Sequence, residues 1–170
     1  MHEQITWSPA YSVGIQVIDE QHQHLIEIIN HLSDKVESTI GEIPVTEFFS
    51  EVVNYGDYHF QTEERYFSRY DYPERVDHLL AHKSYKDALT TLLVSEGDSR
   101  TKAEKLLEFL HTWWVEHITG IDQTLRDLAA KDAKAIMKLG KGELGRSFVF
   151  TLTLPIQYRP KAARPSSESA

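Results

Sequence analysis

The sequence predicts an all-α fold: an up-down-up-down four-helix bundle with an extended N-terminal arm and a C-terminal extension. Four stretches repeat apolar residues at intervals of three and four, which is the spacing of a helix with one buried face. Short breaks that contain glycine or proline separate these stretches, and short connections favour antiparallel neighbours. With 170 residues, 41% of them hydrophobic, the chain is long enough for one domain and a tail.

An extended arm, four helices and a short fifth helical piece are expected in this order from the N-terminus. Residues 1–17 show no helical period, and Pro9 and Gly14 disfavour a helix, so we expect an extended arm. Pro44 suits the first turn of a helix, because the N–H that proline lacks would be unpaired there anyway. The four expected helices cover residues 18–38, 44–70, 73–94 and 101–116. A short fifth helical piece is expected over residues 121–139.

Residues 140–170 are expected to form a tail outside a domain that covers residues 1–139. Glycines at 140, 142 and 145 interrupt the helical pattern, and residues 147–154 then alternate apolar and polar side chains as a strand does. The proline- and serine-containing end is typical of disorder. Because one strand is not stable alone, the segment could pack on the bundle, pair with another chain or be non-native sequence.

Composition excludes several classes of protein. The net charge is −8 and no run of Lys and Arg is long, which disfavours nucleic acid and anionic membranes as partners. No apolar stretch approaches the roughly 20 residues that span a bilayer. The N-terminus lacks the basic flank and apolar core of a secretory signal, so we expect a cytoplasmic protein. The absence of cysteine excludes disulfides, thiolate metal sites and a cysteine nucleophile.

Five of the nine histidines fall on the inward-facing positions of the predicted helices, together with one glutamate. These positions are His22, His59, Glu63, His78, His82 and His117. Polar groups in an apolar core are costly unless they are paired or coordinated. All four helices contain this apparent conflict, which a bound metal resolves better than hydrogen-bonded core histidines do. The histidines that we assign no metal role are His2, His24, His31 and His111.

The spacing of these residues suits a shared site. His59 and Glu63 are four residues apart, as are His78 and His82, so each pair lies on one face of its helix. Five imidazoles with carboxylates are too many for one tetrahedral zinc ion. They suit two octahedral ions that share carboxylates, and iron, manganese or zinc accept this donor set. The H-E-x-x-H pattern of zinc proteases is absent.

Asp122 joins this set only if the helix is interrupted. It follows His117 by five residues, which on an ideal helix places the two side chains roughly 140° apart. Both can face one site if the helix breaks between them, and Gly120 supplies a plausible break.

With these motifs in place, the chain resembles the hemerythrin family over residues 5–130, and in particular its single-domain bacterial members, the bacteriohemerythrins. The resemblance is carried by Trp7, the segments 13–15 and 18–22, His59 with Glu63, Tyr72-Pro73, His78 with His82, and Trp113 with His117 and Asp122. It implies two iron ions (Fe²⁺/Fe³⁺) with an oxo or hydroxo bridge. By this resemblance, one iron would be bound by His78, His82 and His117, the other by His22 and His59, and both by Glu63 and Asp122.

The resemblance implies reversible binding of O2, for oxygen transport, storage or supply, at the iron with two histidines. No residue outside the ligand set identifies a substrate, so no catalytic residue is predicted and an oxygen-binding protein is favoured over an enzyme. The alternatives are an oxygen or redox sensor and a di-iron oxidase, peroxidase or nitric oxide reductase. NO and other small ligands stay open, as does a protein partner that binds the tail.

Trp114 departs from the resemblance, because family members commonly carry a smaller aliphatic residue there. It lies three residues before His117, so its ring is expected to point toward the metal layer and line the oxygen pocket. The alternative is that the ring turns outward and packs between helices. If it lines the pocket, binding of larger anions such as azide is expected to be restricted.

Overall fold

The computed structural model describes residues 4–131, which contain four long helices and no strand. These helices are α1 (Gln16–Ser38), α2 (Val45–Arg69), α3 (Arg75–Val94) and α4 (Ser99–Trp113). Each packs against the next along the chain, and α1 also packs against α4, which closes the bundle. The predicted all-α four-helix bundle is therefore confirmed. The predicted tail at 140–170, with its strand-like segment, lies outside the described residues.

The boundaries of α1, α2 and α3 agree with the predicted ones to within two residues, whereas the end of α4 differs. The α-helix stops at Trp113 instead of continuing to residue 116. One π-helical turn, Trp114–Ile118, follows it, and a 3-10 turn, Ile121–Leu125, comes next. Helical residues continue from 126 to 131, the last described residue. The helical periodicity of the sequence continues through this segment, so it did not predict the change from α-helix to π-helix.

The start of α4 follows from its capping residue. The carboxylate of Asp98 accepts a hydrogen bond from the backbone N–H of Thr101 at 2.8 Å, so it occupies one of the N–H groups left unpaired at a helix start. Ser99, which follows this cap, is the first residue of the helix.

The buried stripe of α2 is wider than the predicted line of residues. The intervals of three and four along this helix predict Tyr66 and Tyr70 as core residues, but both are only partly buried, whereas Phe60 and Phe67 are buried. An amphipathic helix in a globular protein buries a face at least 100° wide, so residues beside the predicted line also enter the core. The consequence is a core rich in aromatic rings around the middle of the bundle.

The N-terminal arm lies across the bundle and is fastened at both ends. It contains one short 3-10 turn, Pro9–Tyr11, which was not predicted; proline fits its first position and Ser8 caps it. The Asn30 side chain of α1 exchanges two hydrogen bonds with the backbone of Ile5, at 2.9 and 2.8 Å. Arg126 donates to two backbone carbonyls of the arm. The arm therefore covers one face of α1 and the end of α4.

Within residues 4–131, none of the helices combines the length and apolar character that crossing a membrane requires.

Candidate metal centre

The seven predicted ligand residues meet in the middle of the bundle, where each is at most 2% exposed. They form two groups that share one glutamate, and within each group the possible ligand atoms lie within 4.8 Å of one another. The first group is Glu63, His78, His82 and His117; the second is His22, His59, Glu63 and Asp122. The structure thus brings all seven together, and their role as metal ligands stays a prediction.

Two helices present their members as pairs one turn apart. On α2, His59 and Glu63 lie on the same face, with His59 Nε2 at 3.6 Å from Glu63 Oε1. On α3, His78 and His82 form the corresponding pair, and their ring centroids are 4.7 Å apart. Because α2 packs against α3, the two pairs face each other across the bundle.

Asp122 reaches the cluster through a local change of backbone. In the π-turn, the N–H of Thr119 bonds to the carbonyl of Trp114 at 3.0 Å, five residues earlier. The chain then turns at Gly120, where a Cβ atom would collide with the backbone carbonyl of Glu116. Glycine is required there because the carbonyl occupies the space of a side chain. Single π-helical turns of this kind are frequent at functional sites.

The two oxygens of Asp122 face different groups of histidines. Its Oδ1 lies 3.0 Å from His78 Nε2 and 3.2 Å from His117 Nε2. Its Oδ2 lies 3.2 Å from His22 Nε2 and 3.9 Å from His59 Nε2. One carboxylate therefore offers one oxygen to each side of the cluster.

Glu63 divides its oxygens in the same way. Its Oε2 lies 3.0 Å from His82 Nε2 and 3.4 Å from His78 Nε2. Its Oε1 faces His59 on the other side. All five histidines turn Nε2 toward the carboxylates, so the donor atoms converge on the space between the two groups.

The polar atoms that face one another inside the cluster make no hydrogen bonds. Among the described residues, no hydrogen-bond partner satisfies Nε2 of any of the five histidines or either oxygen of Glu63 and Asp122. The atoms approach within 3.0 to 3.9 Å, but not in hydrogen-bonding geometry. Each unsatisfied buried polar group costs about 1–3 kcal/mol. Imidazole nitrogens and carboxylate oxygens suit iron, manganese and zinc, so the residues present fit a metal pair.

Comparison with known proteins gives this cluster a context. Residues 13–129 match the Hemerythrin HHE cation binding domain. The chain belongs to the hemerythrin family. The predicted resemblance is therefore confirmed, and membership implies an iron-binding protein of the oxygen-binding type.

Individual hemerythrin relatives cover most of the described chain. A bacteriohemerythrin of Stenotrophomonas maltophilia is 29% identical over 123 residues, 72% of this chain and 80% of the relative. A bacteriohemerythrin of Clostridium acetobutylicum is 28% identical over 126 residues, 71% of this chain and 98% of the relative. A hemerythrin-like protein of Naegleria gruberi is 26% identical over 117 residues, 68% of this chain and 86% of the relative.

In this chain, three of the cluster histidines have a hydrogen-bond partner at Nδ1, the ring nitrogen that does not face the carboxylates. The partner of His59 is Gln21, at 3.0 Å, and the partner of His78 is the hydroxyl of Tyr72, at 2.9 Å. The partner of His82 is Glu64, at 3.5 Å. Beyond the resemblance, the sequence alone gave Gln21, Tyr72 and Glu64 no role at the site. The available signal was the position of Gln21 next to His22, a predicted ligand.

Aromatic rings form walls against three of the histidines. Trp113 stacks on His117, with centroids 3.8 Å apart and planes 18° apart. Phe60 stacks on His82, with centroids 3.9 Å apart and planes 12° apart. Tyr55 stacks more loosely on His59, at 5.2 Å. These walls were not predicted, because rings on neighbouring helices meet only once the packing is known. They hold the imidazoles in place and exclude water.

Trp114 is buried, 3% exposed, and belongs to the apolar cluster on which the N-terminal arm packs. Its ring meets Tyr11 of the arm edge to face, with centroids 5.3 Å apart. Of the two neighbouring tryptophans, Trp113 stacks on a cluster histidine, whereas the described ring contact of Trp114 is with Tyr11. The role of Trp114 in lining an oxygen pocket stays a prediction.

Burial keeps most of the imidazoles neutral, as metal ligands must be. Burial, reinforced by the neighbouring His78 and His117, lowers the pKa of His82 to about 2. Burial lowers the pKa of His117 to about 4 and that of His59 well below its usual value. Neutral imidazoles present a free lone pair, so these three side chains are ready to bind a cation.

His78 and Glu63 have raised pKa values and therefore hold protons in the metal-free cluster. Burial opposes a charge on His78, but the contacts with Asp122 and Glu63 raise its pKa to about 11. Burial and the charge of Asp122 raise the pKa of Glu63 to about 8. Burial acts to raise the pKa of Asp122 as well, but His117, His22 and His78 hold it well below its usual value. Metal binding at this cluster would release the protons on His78 and Glu63.

Proposed function

We propose that the chain binds O2 reversibly at a non-haem di-iron centre held by the buried cluster. The observation that carries the proposal is the division of five imidazoles into three and two around carboxylates that offer one oxygen to each side. In this proposal one iron is held by His78, His82 and His117, the other by His22 and His59, and both by Glu63 and Asp122. An oxo or hydroxo bridge completes the pair.

The chemistry that such a pair supplies, when bound, is the reversible exchange of two electrons with O2. The residues of the chain set the conditions for it. The group of His22 and His59 has one imidazole fewer than the other group, so an iron held there would keep an open coordination position for a small ligand. The shared carboxylates couple the two sides, because each touches histidines of both groups.

The donor set favours binding over oxidative catalysis. Ferritin-like di-iron proteins use a carboxylate-rich set with two Glu-x-x-His motifs, and this chain places five neutral imidazoles around two carboxylates instead. Fewer negative ligands stabilise high-valent iron less well. The ring walls of Phe60 and Trp113 leave the cluster closed to solvent, which suits a diatomic ligand better than an organic substrate.

The extent and location of this function are also proposals. We propose that residues 1–139 form the di-iron domain and that residues 140–170 lie outside it. A cytoplasmic location is part of this proposal. Other small ligands such as NO would reach the same side of the cluster as O2.

The test is reversible oxygenation of the full chain. The iron-loaded protein is reduced without oxygen, exposed to O2 and then deoxygenated, while visible absorption is followed and iron is measured in the same sample. We expect an absorption band that appears with O2 and disappears on its removal over repeated cycles. Immediate oxidation without such a band would contradict oxygen carriage and favour an oxidase or a redox sensor.

Matched histidine variants connect the band to the cluster. His59→Ala removes a buried imidazole of the two-histidine group, and we expect it to abolish the band. His24→Ala removes a partly exposed imidazole of α1 that belongs to neither group, and we expect the band to remain. Equal behaviour of the two variants would contradict the assignment of the site.

A further inference from the structure

A chain of hydrogen bonds behind His59 determines which of its nitrogens carries a proton. The hydroxyl of Thr62 donates to the backbone carbonyl of Tyr58 at 3.0 Å. Because its one hydrogen is used there, Thr62 accepts from the amide nitrogen of Gln21, also at 3.0 Å. The amide oxygen of Gln21 then faces His59 Nδ1 at 3.0 Å. An amide oxygen only accepts, so His59 carries hydrogen on Nδ1.

A second chain of the same form stands behind His78. The hydroxyl of Thr124 donates to the backbone carbonyl of Ile121 at 2.8 Å. It therefore accepts from the hydroxyl of Tyr72, which lies 2.6 Å away. The oxygen of Tyr72, having donated its hydrogen, accepts from His78 Nδ1 at 2.9 Å. His78 thus also carries hydrogen on Nδ1, and Nε2 is the nitrogen that faces the carboxylates.

Each of the two chains of hydrogen bonds ends on one histidine, and the two histidines belong to different metal-binding groups. The other cluster histidines lack such support among the described residues: His82 has the partly exposed Glu64 at 3.5 Å, and Nδ1 of His22 and of His117 has no partner. Groups behind a metal-binding histidine fix its tautomer and orientation. A threonine that determines the direction of the next donor acts one step further out.

We propose that Thr62 and Thr124 are positioning residues of the metal centre. Acting through Gln21 and Tyr72, they keep a hydrogen on Nδ1 of one histidine in each group, so that Nε2 is the nitrogen left to bind the metal. The proposal rests on the proposed metal site and adds residues that do not touch it. The expected effect of the threonine differs between the two metal-binding groups, because Thr62 is buried and Thr124 is exposed.

Burial determines the consequence of losing each hydroxyl. Without the Thr62 hydroxyl, the buried amide of Gln21 loses its acceptor and is free to reverse, which turns an N–H toward His59 and favours the wrong tautomer. Without the Thr124 hydroxyl, water at the surface can accept the hydrogen of Tyr72 instead. The Thr62 chain is therefore expected to matter more.

The test uses zinc as the probe, because zinc accepts this donor set, is diamagnetic and does not bind O2. Zinc loss from the loaded full chain to an excess of chelator is timed in the parent and in Thr62→Val. Changes behind metal-binding histidines typically lower affinity by about 10–100-fold, and we expect roughly tenfold faster loss of one zinc per chain. Thr124→Val is expected to have a smaller effect on the other zinc.

Two further variants separate positioning from folding. Thr62→Ser keeps the hydroxyl and is expected to restore slow zinc loss. Thr90→Val is the matched control, because Thr90 donates to the carbonyl four residues earlier on α3, as Thr62 does on α2, but supports no histidine. We expect Thr90→Val to lose zinc at the parent rate. Equal rates in Thr62→Val and Thr90→Val would overturn the proposal.

NMR of the zinc-loaded chain reads the tautomer directly. We expect Nδ1–H signals of His59 and His78 that exchange slowly with water in the parent. In Thr62→Val the His59 signal is expected to exchange faster while that of His78 is unchanged; unaltered exchange at His59 would overturn the role of Thr62. A parent chain that retains no zinc would overturn the metal site and this proposal together. Failure of reversible oxygenation alone would leave the zinc results intact.

Discussion

His117 Nε2 lies 3.2 Å from Asp122 Oδ1, although Asp122 follows His117 by five positions in the sequence. In a regular α-helix this spacing would turn them roughly 140° apart. The π-turn at Trp114–Ile118 and the break at Gly120 bring both to the same side. The cluster therefore depends on a local backbone feature as well as on the residues that could bind metal.

Replacement of Gly120 by alanine tests this dependence. The added Cβ collides with the carbonyl of Glu116, so the backbone before Asp122 must move. Forcing extra atoms into a packed region costs about 1–3 kcal/mol. We expect lower stability in chemical unfolding and fewer than two irons per chain by metal analysis. Thr119→Ala changes the neighbouring residue without this collision and is expected to keep its iron. Full iron content in Gly120→Ala would contradict the requirement for glycine.

Trp114→Leu tests whether this ring restricts the oxygen pocket. Leucine removes ring atoms three residues before His117, so we expect tighter and faster binding of azide to the oxidised iron protein. Titration followed by visible absorption measures both. Because Trp114 packs on Tyr11, Tyr11→Leu serves as the control that loosens the arm without shortening Trp114. Unchanged azide affinity and rate in Trp114→Leu would reject the pocket-lining role.

The stability of the metal-free chain should fall when the pH is lowered below 6.5. The pKa of His117 is lowered to about 4 and that of His82 to about 2, both mainly by burial. Between pH 6.5 and 4 the unfolded chain binds protons on these residues and the folded chain does not, so acid favours unfolding. The pKa of His59 is also lowered by burial, which adds a third group that destabilises the folded chain in acid. The raised pKa of Glu63, about 8, acts in the opposite direction, and that of His78, about 11, does so only above pH 6.5, so the three histidines outweigh these two groups.

Urea unfolding of the chelator-treated protein at pH 7 and pH 5 measures this dependence. We expect a lower midpoint at pH 5. His82→Gln removes one of the three histidines with a lowered pKa and is expected to reduce the difference between the two midpoints. A midpoint that rises on acidification would show that the cluster histidines are not held neutral.

Gly56→Ala tests the packing between α2 and α3. A Cβ at this position would lie 2.8 Å from Cε1 of Tyr85, a buried ring whose hydroxyl donates to the backbone of Val52 at 2.9 Å. Alanine favours a helix by about 1 kcal/mol relative to glycine, whereas overpacking costs about 1–3 kcal/mol. We expect a lower free energy of unfolding in urea. A more stable variant would mean that the Tyr85 ring moves aside without cost.

The bundle and the convergence of the cluster could be predicted because both depend on helical periodicity. His22 and Glu63 stand where apolar side chains belong, and this conflict is visible in the sequence alone. The π-turn could not be predicted, since no residue pattern distinguishes it from the continuing α-helix. Gly120 indicated a break, but its contact with the Glu116 carbonyl emerges only from the folded backbone.

Contacts between helices were the part of the site that was hardest to predict from the sequence. The stacking of Trp113 on His117 and of Phe60 on His82 depends on ring orientation, which helical spacing alone does not determine. The same limit applies to Trp114, whose described ring contact is with the arm. Which residue lies behind a histidine is decided by packing between helices, and the sequence alone does not define it.

The most direct test of the central claim is an iron-edge anomalous diffraction map from crystals of the iron-loaded full chain. We expect two iron peaks, one at Nε2 of His78, His82 and His117 and one at Nε2 of His22 and His59, with Glu63 and Asp122 between them. A single iron peak, or iron bound outside this cluster, would contradict a di-iron centre at these residues.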